Sequence, residues 1–181
     1  MTELQTRCLD TFPEWLRALA ADAGELAQVL STAGVPDEVR RYIAGGLNYL
    51  FKSLDLIPDG IEDLGFLDDA FVLRVAASLS LAEAPAVKDA APVLARLAGD
   101  TKLIADLLGK DYARIEAYTK TLVRATARGR SVDDILGSDD VLRTFLHEVT
   151  SWASSYETPT FTRDEKNLVK LQSFLGAKLP A

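Results

Sequence analysis

Residues 52–69 read "KSLDLIPDGIEDLGFLDD". Pro58, Gly60 and Gly65 interrupt helix-forming sequence here, so the window reads as a bend between two helices. Ile57 precedes a proline and is biased away from the helical region. Asp59-Gly60 is a turn pair. Asp63 is placed to cap the helix that follows, with Glu62 beside its positive end. Leu56, Ile57, Ile61 and Phe66 supply the apolar anchors. Six carboxylates stand among them, and no base follows Lys52 before Arg74.

On both sides apolar residues recur every three or four positions, and no run alternates as a strand would. Upstream, Thr11 and Glu14 form a capping box with Pro13 in the first turn, and the helix is expected to run to Thr32 and stop at Gly34. Pro36 opens the next helix, with a stripe at Val39, Ile43, Leu47, Leu50 and Leu54. Gly45 and Gly46 weaken that helix, and close approach by a neighbouring helix is the expected compensation.

Downstream, a helix from about Asp63 to Leu81 carries Leu64, Leu67, Phe71 and Val75 on one side. Ala70, Val72, Leu73, Ala76 and Ala77 cover most of the rest. A helix apolar nearly all round is a central one. Further helices are expected after Pro85 and Pro92, from Asp100 to Gly109, from Asp111 to Arg128, after the Ser131–Asp134 capping box, over Val141–Tyr156, and from a Thr162–Glu165 box to near Gly176. "SSYETPTFT" reads as a loop. The predicted fold is all-α, a single compact domain over 1–181 with about seven or eight helices. Its core is the helix–loop–helix at about 36–84, and 85–181 is an added helical body.

The 181 residues carry a formal charge of −7. Asp55–Asp69 holds six acids and no base, leaving −1 for all the rest. Such local acidity argues against nucleic acid and against an anionic membrane as partners. Membrane spans are not expected, because the uncharged run Tyr42–Phe51 is too short and lies between Arg41 and Lys52. Cys8 is the only cysteine, which excludes an internal disulfide and a multi-cysteine zinc site. With no basic and apolar leader at the start, the expected location is cytoplasmic.

The segment Leu47–Leu73 resembles the YkvA-like family, bacterial helical proteins of unknown function. "SLDLIPDG" followed by "GFLDD" carries the resemblance, with Asp55, Leu56, Ile57, Pro58, Asp59, Gly65, Leu67, Asp68 and Asp69 on matching positions. Leu54 and Glu62 stand where the family has prolines, and Gly60 where it has a bulky apolar residue. The resemblance implies a helix–loop–helix unit and no particular reaction.

Two readings of the loop stay open. In the first, Asp55 and Asp59 bond loop N–H groups and the motif is a structural clasp that doubles as a docking surface for a protein partner. In the second, Asp55, Asp59, Asp68 and Asp69 converge on a divalent ion, and an all-oxygen set suits magnesium, calcium or manganese. An EF-hand is excluded, because Ile57 and Phe66 fall where its third and twelfth ligands belong. Buried Asp68 and Asp69 would need partners, with Lys52, Arg40, Arg41 and Arg74 as the candidate cations and loop N–H groups as the candidate donors. His147, beside Glu148, reads as a surface residue, and no nucleophile pattern surrounds it. Arg124, Arg128 and Arg130 read as charge at a helix end. Tyr156 and Phe161 are aromatics at a loop that would mark a partner surface. The expected function is a non-catalytic interaction or scaffold role. The alternatives are a metal-dependent protein, conceivably a hydrolase, and peripheral membrane association.

Overall fold

The computed structural model describes residues 1–53 and 55–181; the expectations for Leu54 lie outside them. Its helices are α1 (Glu3–Val29), α2 (Asp37–Tyr49), α3 (Leu67–Glu83), α4 (Pro92–Gly99), α5 (Thr101–Leu108), α6 (Tyr112–Thr121), α7 (Val132–Gly137), α8 (Asp139–Ser155) and α9 (Glu165–Lys178). Short 3₁₀ turns cover Pro85–Asp89, Gly109–Asp111 and Leu122–Arg124. Two-residue strands β1 (Thr126–Ala127) and β2 (Arg130–Ser131) pair antiparallel around Arg128-Gly129. The fold is all-α apart from this hairpin.

α3 is the axis. Every residue from Leu67 to Ala77 is buried, polar ones included. α1, α2, α4, α5 and α6 pack around it. The glycine pair in α2 explains how closely they pack. A Cβ on Gly46 would stand 3.3 Å from Ala76 Cβ, and one on Gly45 would stand 3.0 Å from the backbone of Leu122. The glycines admit α3 on one side and the turn after α6 on the other, as expected from their helix-weakening position.

Several helix starts differ from expectation. α1 begins two turns earlier, under a Thr2–Gln5 capping box, so Thr11 and Pro13 lie inside the helix. The apolar face through Cys8, Leu9, Phe12, Trp15, Leu16 and Leu19 is fully engaged, and its burial offsets the hydrogen bond that Pro13 forgoes. Asp100 and Asp111 precede helices without capping them, because their carboxylates bond Arg74 and Arg114. The predicted helix to Arg128 stops at Thr121, since Arg128 (φ 51°) and Gly129 (φ 74°) turn the hairpin. Asp164, not Thr162, caps α9. The Ser131–Asp134 box is present as predicted.

Candidate functional site

The acidic window lies between α2 and α3, and its geometry starts from Gly65. A Cβ there would fall 2.1 Å from the carbonyl oxygen of Asp59, so only glycine lets the turn fold back on itself. Asp63 (φ 66°) and Phe66 (φ 69°) both occupy the left-handed region, a rare state for a bulky residue. α3 therefore starts at Leu67, later than predicted, and Asp68 and Asp69 stand in its first turn. Asp63 does not cap it. Its Oδ1 accepts the N–H of Thr162 at 2.7 Å, which ties the loop to the segment before α9.

Tyr49, at the end of α2, closes the loop. Its hydroxyl donates to Asp68 Oδ2 at 2.5 Å and accepts the Leu56 N–H at 2.7 Å. The Ile57 N–H donates to the same Asp68 oxygen at 3.2 Å. One carboxylate oxygen and one phenol thus join the end of α2, the loop and the start of α3. Leu56 and Ile57 point into the core, as expected, while Pro58 is exposed. Tyr49 was not among the residues the sequence singled out. The signal for it was a tyrosine inside an uncharged buried run, whose hydroxyl requires a partner.

The four candidate aspartates grade from surface to interior. Asp59 is exposed, Asp55 is half-buried, and Asp68 and Asp69 are 0% and 2% exposed. They are close enough to feel one another's charge. Burial first, then Asp68 and Asp59, push the Asp55 carboxyl up to about 7. Partial desolvation by the folded loop raises Asp59, and burial raises Asp68, above the usual carboxylate range. Asp69 is raised well above it, by burial first and then by Asp68, Asp59 and Asp55. Tyr49 and Tyr156 are held neutral by burial and by the same carboxylates. Asp55 Oδ1, Asp68 Oδ1 and Asp69 Oδ2 are buried without a hydrogen-bond donor.

The cations predicted for Asp68 and Asp69 are engaged elsewhere. Arg40 donates to the carbonyls of Leu30, Thr32 and Val35, and Arg41 pairs with Asp37 and Asp133. Arg74 bonds Asp22 and Asp100. Lys52 donates to the Tyr118 hydroxyl at 2.9 Å and acts electrostatically on Asp55. The expected bonds from loop N–H groups to Asp55 and Asp59 are not seen among the described residues; the Ile57 N–H goes to Asp68 instead. Nor, among those residues, do three or more His, Cys, Asp or Glu side chains form a group able to hold a metal ion.

Tyr156 and Phe161, read as a partner surface, are half-buried and pack against the core. The Tyr156 hydroxyl donates to Leu16 O at 2.8 Å and its ring meets Phe66 edge-on at 5.3 Å. Phe161 packs against Phe12. His147 is exposed, as predicted.

Residues 39–74 match the model of a family described as a protein of unknown function (DUF1232). The match spans α2, the acidic loop and the first half of α3, and supports a helical domain of unknown function there. No curated protein and no solved structure matches the chain. Among the described residues, no helix is long and apolar enough to cross a membrane.

Proposed function

We infer that this chain is a non-catalytic helical protein in which the acidic junction is a structural clasp. The observation that carries this reading is the double use of Asp68 Oδ2, which accepts from Tyr49 of α2 and from Ile57 of the loop. A carboxylate that takes two donors from separate segments fixes their relative position. Closure leaves Pro58, Asp59, Gly60 and Glu62 exposed as an acidic tip, the side offered to a basic protein partner. The YkvA-like name and a cytoplasmic location belong to the same proposal. They rest on the motif residues and on the single cysteine.

Thermal melts of the wild type and Asp55→Asn, with magnesium, calcium, manganese or zinc, test the clasp. The expected result is a midpoint unmoved by each metal in both proteins. A metal-specific rise confined to the wild type would replace the clasp by the divalent-cation reading, because an ion that binds the folded state stabilises it by mass action.

A further inference from the structure

Asp68 and Asp69 are neighbours in the first turn of α3, both buried, yet they are treated differently. Asp68 receives the Tyr49 hydroxyl and the Ile57 N–H, both on Oδ2. Among the described residues no donor reaches Asp69 Oδ2, and Asp68 Oδ1 is equally unserved. The two carboxylates are consecutive in the first turn of α3, both are buried, and each feels the other's charge. Two ionised carboxylates so placed would repel with no water to screen them, and each would leave a buried acceptor unpaired.

The groups facing the pair do not relieve this. α2 contributes Tyr49, a neutral phenol. The loop contributes Asp55 and Asp59, both acidic. The segment after α8 contributes Tyr156. The cation of the neighbourhood, Lys52, sits beyond Asp55 against Tyr118 of α6. Arg74, on α3 itself, is turned to Asp22 and Asp100.

We propose that Asp69 keeps its proton at neutral pH and donates it to Asp68, so that the α2–α3 junction is a latch that holds while this proton is present and slackens when it leaves. The assignment follows from the donors. Asp68 already accepts from two donors and is the ionised acceptor; Asp69, whose Oδ2 has no donor among the described residues, is the acid. One proton satisfies both orphaned oxygens and removes one of two adjacent charges. When Asp69 ionises, its proton passes to water and a second buried anion is created beside the first.

The sign of the pH dependence follows. A carboxyl whose folded-state affinity for protons exceeds its unfolded one stabilises the fold at low pH, and that stability is lost as pH rises through the folded value. Asp55, pushed to about 7, adds in the same direction. Stability should therefore fall from about pH 4, the ordinary carboxylate value, up to about 7 for Asp55, and up to its own folded value for Asp69.

This inference rests on the clasp reading, and the two fail separately. Thermal midpoints across that range are expected to fall by about 4 °C or more in the wild type. Asp69→Asn, whose amide can donate to Asp68 without titrating, should remove most of the slope and raise the midpoint at the alkaline end. Carboxyl carbon NMR of wild-type protein labelled at aspartate should show a protonated side chain at pH 7 that is missing in Asp69→Asn. Every aspartate ionised at pH 7 would overturn the shared proton, as would an unchanged slope in Asp69→Asn. A slope abolished by millimolar magnesium would also overturn it, in favour of a cation. If Tyr49→Phe loosens the junction while pH leaves the wild type unmoved, the clasp stands and the latch falls.

Discussion

Asp22 and Asp69 are both helical carboxylates, 1% and 2% exposed, and α3 is involved in both burials. Their surroundings are opposite. Asp22 meets Arg74 Nη2 at 3.4 Å and Arg96 Nη2 at 2.8 Å; Arg74 Nε reaches Asp100 at 2.9 Å, and its guanidinium lies 4.2 Å from the centre of the Trp15 ring. With Glu25 3.5 Å from Arg96 Nη2, three acids and two bases close a network between α1, α3, α4 and the start of α5. Asp69, five residues before Arg74 on α3, has Asp55, Asp59 and Asp68 for company. The contrast teaches that burial alone says little about a carboxylate. Asp22 is paired with opposite charge, whereas Asp69 stands among like charges.

Breaking the arginine-paired side gives the largest expected effect. Arg74→Met keeps most of the volume but leaves Asp22 buried beside a single, half-exposed partner, Arg96. Removing one member of a buried pair costs about 3–5 kcal/mol, and urea unfolding should register a loss of that order. A loss under about 1 kcal/mol would mean the network does not anchor α1 to α3.

Next comes the turn on the acidic side. Gly65→Ala places a methyl against the Asp59 carbonyl, a clash that the loop can relieve only by opening. Overpacking of this kind costs about 1–3 kcal/mol. Hydrogen exchange should rise from Leu56 to Phe66 and stay low around Asp22. A uniform rise would indicate global destabilisation instead.

The smallest effect sharpens the comparison most. Tyr49→Phe removes one donor to Asp68 and strands the Leu56 N–H, at about 1–2 kcal/mol. Because Asp68 keeps the Ile57 N–H, the fold should survive, and denaturant unfolding would measure a modest loss. No loss would remove Tyr49 from the clasp.

Features set by near neighbours were legible in the sequence. The all-α class, the centrality of α3, the close approach at Gly45-Gly46 and the Ser131–Asp134 box all depend on local spacing and composition. The acidic junction was legible as a unit, and Leu56, Ile57, Gly65 and Leu67 have structural explanations. Partner choice was not legible, because it is decided across the fold. Thr11–Glu14 and Thr2–Gln5 are comparable local signals, and the apolar face of residues 8–19 selects the earlier start. Asp63 looks like a cap until Thr162 is brought beside it. Asp68 and Asp69 needed a cation or loop N–H donors; Asp68 receives the Ile57 N–H, while Arg74, near in sequence, pairs with Asp22 and Asp100.

The bond from Thr162 to Asp63 spans 99 residues, and that from Tyr156 to Leu16 spans 140. Neither can form before most of the chain has been laid down, and bringing such distant segments together carries a closure entropy that local helix formation does not. During refolding, the middle of the protein is therefore expected to acquire its helices early and its loop geometry late. The left-handed turns at Asp63 and Phe66 would set only when the last third of the chain arrives to hold them.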